Sequence, residues 1–313
     1  MKIGYPCINN SISRNSPSTF RLASYSDNRL VQTIEGNLIH LNQILKYNVK
    51  NNILFFRISS DLIPFASHPI CKLNWCRNFQ SEFEQIGDFI KKYNIRISMH
   101  PDQFVILNSP NGKIVENSIN ELKYHCRVLD AMHLDKTAKV QIHVGGVYEN
   151  KQEAIDRFVR TLNISKFVDG SIKKRLVIEN DDRLYSLKDC LSINQETSIP
   201  IVFDIFHHEL LNNEEPMRIA LEKAMSTWKM SRDGFPIVDY SSQNSVKGKE
   251  NKIRKGKHAE KIDLTLFKKF LEETQNLDFD IMLELKDKEK SALKALDVKR
   301  QTNIVSASVD SKY

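Results

Sequence analysis

IPIVFDIFHH, residues 199–208, is an apolar, β-branched run that reaches an acid at Asp204 and adds two histidines within the next four residues. A short run of this kind, opened by a proline and closed by polar residues, reads as a buried strand. The same figure recurs four times. RISMH (96–100) ends at His100, VQIHVGG (140–146) carries His143, LVIEN (176–180) carries Glu179, and FDIMLEL (279–285) places Glu284 near its close. Five strand-like runs that each stop at a histidine or a carboxylate are the pattern of a parallel barrel whose carboxyl rim holds a metal cluster.

Outward from these runs, strand and helix alternate along the chain. KIGYPCI (2–8) is a candidate first strand and ILFFRIS (53–59) a second, while GFPIVDYS (234–241) is a short seventh. Apolar residues at helical spacing predict helices over 30–47, 79–93, 115–132, 152–167, 215–228 and 264–274, with a weaker one near 187–193 that Ser186 would cap. Eight strand–helix units without a break in composition predict a single (β/α)8 TIM barrel over residues 1–289, followed by a helix and flexible tail over 290–313. A doubly wound open sheet is the alternative. Two long polar stretches, 11–28 and 241–261, both follow strands and would lie on the carboxyl rim. The second holds seven lysines or arginines, a solvated surface loop on the plain reading and a DNA contact if the rim is an active site.

The chain has 313 residues, of which 41% are hydrophobic, enough for a large core. No window approaches the ~18 uninterrupted apolar residues of a membrane span, and the amino terminus lacks a secretory pattern. A soluble, cytoplasmic protein is expected, associated with the nucleoid if bacterial, without a membrane partner and as a monomer. Five cysteines, an odd number without CxxC spacing, predict reduced and mostly packed thiols. The net charge of +7 suits a polyanionic partner, although an ordinary basic protein has the same balance.

Each strand-end residue has a plain alternative, since lone histidines often hydrogen-bond within the fold and strand-end acids often cap the next helix. Their convergence is what carries weight. Buried carboxylates cost several kcal/mol unless paired, so Glu179, Asp204 and Glu284 on one rim call for cations. His207 stands three residues beyond Asp204, His258 lies in the basic loop, and Asp239 ends the seventh strand. These ligands are too many for one ion. Mixed histidine and carboxylate donors suit zinc or manganese, and ions about 3.5–4 Å apart suit phosphodiester hydrolysis.

YPCIN (5–9), RISSDLIPFASH (57–68), SMHPDQF (98–104), IHVGG (142–146), VIEND (177–181), FDIFHH (203–208), DYSSQ (239–243), KGKHAE (255–260) and MLELKDKE (282–289) together resemble the UV damage endonuclease family. The resemblance runs in order over nearly the whole chain. It implies a barrel akin to endonuclease IV and xylose isomerase, with two or three divalent ions, manganese ahead of zinc or magnesium. It also implies ATP-independent incision of UV-damaged double-stranded DNA on the 5′ side of cyclobutane pyrimidine dimers, 6-4 photoproducts and sometimes abasic sites. The family's metal ligands fall on His100, His143, Glu179, Asp204, His207, His258 and Glu284, with Glu179, Glu284 and His143 closest to the chemistry. Its lesion-probing pair falls on Gln103 and Phe104, where the family's tyrosine hydroxyl is lost and the ring kept. Tyr5, Asn9, His68 and Lys257 match or flank positions expected to contact DNA. Some members carry Lys-x-His at the end of the seventh strand. This chain has Ile237-Val238-Asp239, which keeps a ligand type at Asp239 and loses the lysine. A sugar isomerase or epimerase, an apurinic endonuclease, and a DNA-damage binding module without catalysis are the competing functions.

Overall fold

The computed structural model describes residues 1–12, 17–164, 168, 170–243 and 256–310, with side chains through residue 302. Eight short strands close into a barrel: β1 (Ile3–Pro6), β2 (Phe55–Ile58), β3 (Arg96–Met99), β4 (Lys139–His143), β5 (Leu176–Glu179), β6 (Ile201–Asp204), β7 (Ile237–Tyr240) and β8 (Asp280–Leu283). Every neighbour pair is parallel and β8 pairs back onto β1, which removes the open-sheet alternative. Each predicted helix is present, including Asp27–Lys50, Gln80–Lys92, Gly112–Ala131 and Lys151–Asn163. Ser186 and Asp189 form a capping box at the head of the helix Leu187–Thr197.

Strand periodicity sorts the core into two. Residues facing the helices join one large apolar cluster, while Phe55, Val177, Val202, Ile237 and Met282 form a small separate cluster with Trp228 inside the barrel. Successive side chains alternate faces, so the residue two places further along each of these strands also points inward. Those residues are Arg57, Glu179, Asp204, Asp239 and Glu284. The apolar layer therefore supports a charged layer at the carboxyl rim, and one alternation produces both.

Beneath the apolar layer, at the amino ends of the strands, lies a second set of buried charges. Lys139 Nζ sits 2.7 Å from Asp233, and Arg96 Nη1 2.8 Å from Asp280. The Arg96 guanidinium also lies over the rings of Phe55 and Trp228. The last helix, Glu289–Asp310, buries Glu289, Ser291, Ala292, Ala295 and Leu296 and runs past residue 302, where no periodicity predicts it. No helix among the described residues is long and apolar enough to cross a membrane. None of the five cysteines is in a disulfide, and Cys126 and Cys190 are buried.

Candidate active site

Six strand ends, the short helix after β6 and one distant segment bring the predicted ligands together. His100 and His143 stand with Glu179, Glu179 stands with Asp204 and His207, and Asp204 stands with Asp239 and Glu284, each trio offering ligand atoms within 4.8 Å of one another. The backbone explains the placement. After β4 the chain turns at Gly145, whose φ of 115° suits only glycine, and a Cβ there would meet Asn108 Oδ1 at 2.5 Å. After β6, Asp204 serves as N-cap of the short helix Ile205–Leu210, its Oδ1 accepting from His207 N at 2.7 Å. That turn carries His207 back over the rim. His258 arrives from a distant segment through a bridge to Gln243.

The histidines are oriented from behind. Nδ1 of His100 pairs with the carbonyl of Pro101 at 2.7 Å, that of His207 with Asn180 at 3.0 Å, and that of His258 with Glu284 at 2.9 Å. A carbonyl only accepts, so each Nδ1 carries the proton and Nε2 is left as a donor of electrons, the arrangement that orients metal-binding imidazoles. His100 Nε2 then faces Glu179 Oε2 at 3.3 Å. Two acceptors at that distance require a proton or a cation between them.

Electrostatics point the same way. Burial works to raise the Glu179 carboxyl, but His143, His100 and His207 more than offset it and hold it well below the usual carboxylate range. Burial would lower His207, yet Asp204 and Glu179 raise it to about 11. Burial pushes the Asp204 carboxyl well up, with His207 opposing and the carboxylates of Glu179, Glu284 and Asp239 adding to the rise, and its Oδ2 is buried with no hydrogen-bond partner. His143 Nδ1 is likewise buried and unpartnered. An orphaned carboxylate oxygen and an orphaned imidazole nitrogen, inside a set of histidine and carboxylate donors, fit a divalent metal.

Two residues of this layer escaped the sequence reading. Arg57, 3% exposed, extends from β2 across the lumen to Glu284 and Asp239, and Gln141 on β4 joins Asp239 to Glu179. The signal was present: a charged residue inside the apolar run ILFFRIS, and a glutamine two residues before His143 on the same strand face. Burial raises the Glu284 carboxyl, but Arg57 prevails and holds it at about 2. Asp239 is pushed up by burial to about 7 despite Arg57.

Around the cluster, a cavity of about 380 Å³ is lined by His100, Gln103, His143, Asp181, Arg183 and His207. Gln103 and Phe104 follow β3 on its rim, and Phe104 is 75% exposed. Phe104 and His68 line a neighbouring cavity of about 470 Å³. Lys257 is exposed beside His258. Residues 244–255, most of the predicted basic loop, lie outside the described residues.

Tyr5 and Asn9 are placed differently from the expectation that they contact DNA. Both are fully buried, with Tyr5 OH donating to Asn48 Oδ1 and accepting from Asn9 Nδ2, each at 2.7 Å. Register is the reason. Gly4 pairs with Phe55, which faces the lumen, so Tyr5 and its partner Phe56 face the helix layer. In this structure Tyr5 braces β1 against the helix Asp27–Lys50 and presents no surface at the rim.

The model of the family described as UV-endonuclease UvdE matches residues 1–311. A UV DNA damage endonuclease of Clostridium perfringens (strain 13 / Type A) is 38% identical over 304 residues, covering 97% of this chain and 72% of the relative. The crystal structure of SacUVDE superposes with a TM-score of 0.90 at 44% identity, covering 97% of this chain and 99% of that one. Endonuclease IV from Thermus thermophilus, at a TM-score of 0.54 and 15% identity over 83% of this chain and 93% of its own, shares the fold. With a closed parallel barrel and histidine and carboxylate side chains gathered at its carboxyl rim, this chain belongs to the UV-endonuclease family.

Proposed function

We propose that the protein cuts UV-damaged duplex DNA on the 5′ side of the lesion, through divalent ions held at the carboxyl rim. Cyclobutane pyrimidine dimers and 6-4 photoproducts are the expected lesions, with abasic sites as a further substrate. The observation that carries the metal part is Asp204 Oδ2, a buried carboxylate oxygen without a hydrogen-bond partner, in a site where the Nδ1 atoms of His100 and His207 are already committed to backbone carbonyls. The residues that would hold the ions are His100, His143, Glu179, Asp204, His207, His258 and Glu284, with manganese the expected metal. Bound divalent ions supply Lewis-acid chemistry, making a water acidic enough to attack phosphorus at neutral pH and neutralising charge on the departing 3′ oxygen.

The chain's own groups do the recognition. Phe104, exposed on the rim beside the cavity, offers a ring face on which a base left behind by an extruded lesion can stack. Gln103, on the cavity wall, offers an amide to base edges at the same point. Arg183 on the cavity wall and Lys257 beside His258 are exposed cations placed for phosphates. A dimer has already lost stacking, so extruding it costs less than extruding an intact pair. Departure of the 3′ oxygen leaves a 3′ hydroxyl and a 5′ phosphate.

UV-irradiated supercoiled plasmid incubated with the protein and manganese tests this directly. Relaxation of irradiated but not unirradiated plasmid, abolished by EDTA, is expected. Absence of nicking under manganese, magnesium or zinc sinks the nuclease reading, and retention of irradiated DNA without nicking would instead indicate a binding module.

A further inference from the structure

The carboxylates of the rim are not equivalent. Asp204 and Asp239 stand opposite one another in the β6–β7 register, yet Asp204 Oδ2 has no hydrogen-bond partner while both oxygens of Asp239 are taken. Arg57 Nη2 donates to Asp239 Oδ1 at 3.0 Å and Oδ2 at 2.8 Å, and Gln141 Nε2 donates to Oδ2 at 2.6 Å. Arg57 Nη1 also donates to Glu284 Oε1, and Nη2 to Gln141 Oε1 at 2.9 Å. The other contact of Gln141 Nε2 is Glu179 Oε2, at 2.6 Å. A planar guanidinium fixed between acids on β7 and β8 and an amide on β4 is a preorganised cation that cannot exchange with solvent.

We infer that Arg57 is a built-in cation of this centre: with Gln141 it engages Asp239 and keeps that carboxylate out of the ligand set, so that the cluster takes two divalent ions. The inference rests on the metal reading of the same site. Asp239, which the sequence offers as a ligand, is then a positioning residue that holds Arg57 against Glu284. Glu284 is turned by the same contact, with Oε1 committed to Arg57 and Oε2 left toward His258, 3.7 Å away.

Charge decides the number. Bound cations favour the ionised form of the acids that burial alone pushes up. With Glu179, Asp204, Asp239 and Glu284 all ionised and Arg57 protonated, two divalent ions leave one net positive charge, suited to a phosphodiester anion. A third ion would leave three, where Arg57, Asp204 and Asp239 are all nearly excluded from water and like charges repel strongly.

The test is elemental analysis of the full chain after saturation with manganese and removal of free ion, with folding checked by circular dichroism. Two ions per chain are expected for the native protein and for Asp239→Asn, and fewer than two for Asp204→Asn. Three ions in the native protein, or loss of an ion in Asp239→Asn, overturns the inference. No bound ion at all would overturn the metal reading itself, a distinguishable result. A second measurement does not depend on the Asp239 variant. Manganese should raise the melting temperature of Arg57→Gln more than that of the native chain, because an added ion then replaces the missing cation. Equal shifts contradict the role given to Arg57.

Discussion

The two ends of this barrel both bury charge, and they do so in opposite ways. At the amino end, Lys139 and Arg96 each meet a single acid partner, and the remaining face of Arg96 lies on aromatic rings. At the carboxyl end, four carboxylates share one arginine, which meets Asp239 and Glu284, and Asp204 Oδ2 and His143 Nδ1 have no hydrogen-bond partner. A paired buried charge is part of the fold, whereas an unpaired one calls for something that binds. Burial by itself does not distinguish structure from function here. The balance of charge does, because Arg96 Nε and Nη2 at the amino end also lack hydrogen-bond partners, whereas only at the carboxyl end do acids outnumber the one arginine they meet.

That contrast can be broken most forcefully at Asp204. Asp204→Asn keeps the size and the N-cap acceptor but removes a ligand charge, and several kcal/mol of charge stabilisation corresponds to a loss of nicking on the order of a thousandfold. The metal-free variant should unfold at the same or higher denaturant concentration than the native chain, since burial disfavours the charge that is removed. A destabilised variant with normal nicking would reverse the assignment of the two ends.

Lys139→Met is the mirror experiment at the amino end. Loss of one partner of a buried pair costs about 3–5 kcal/mol, and the lower figure applies because Arg232 also contacts Asp233. Urea denaturation should report about 3 kcal/mol, with nicking per folded molecule and manganese content unchanged. Reduced manganese binding would show that the two ends are coupled.

His125 sharpens the comparison within the upper half, because both of its nitrogens are satisfied: Nδ1 by Glu121 O at 2.8 Å and Nε2 by Ser60 Oγ at 3.1 Å. Tyr124, the Glu121 carboxyl and the positive field of His100 face it as well. Burial lowers it to about 4 from an ordinary 6.5. The unfolded chain therefore takes up the proton first. The stability His125 contributes is complete above pH 6.5 and is lost as pH falls toward 4, by about 2 kcal/mol between roughly pH 7 and pH 5. In EDTA, His125→Gln should lose that much less stability over the interval than the native chain; identical pH slopes would show that His125 does not titrate as described.

The smallest effect is expected at the surface. Phe104→Ala should weaken binding of irradiated duplex by about 1–3 kcal/mol, with no change in unfolding or metal content because the ring is exposed. An equal loss for undamaged duplex would remove its role as a probe of the lesion.

Strand identity and rim ligands were legible in the sequence because inward-facing residues recur every second position, so an apolar residue followed two places later by an acid or histidine marks both the barrel interior and its rim. LVIEN, IVFD at 201–204 and FDIMLEL needed no tertiary information to be read in this way. Tyr5 illustrates the limit. Its place in YPCIN is compatible with either face, and only the pairing of Gly4 with Phe55 turns it toward Asn48. Arg57 and Gln141 illustrate another limit, since a charged or amide residue within a strand shows that something polar occupies the lumen without showing what it meets.

The sequence by itself determined the alternation of strand and helix, the single barrel, and the inward-facing acids and histidines at the strand ends, all consequences of local periodicity. Closure of β8 onto β1 decided the rest. It set Arg57 against Asp239 and Glu284, left Asp204 Oδ2 without a hydrogen-bond partner, and carried Tyr5 away from the rim. Contacts across a lumen join residues as much as 227 positions apart, and those distances follow from strand register and closure, which periodicity along one strand does not encode.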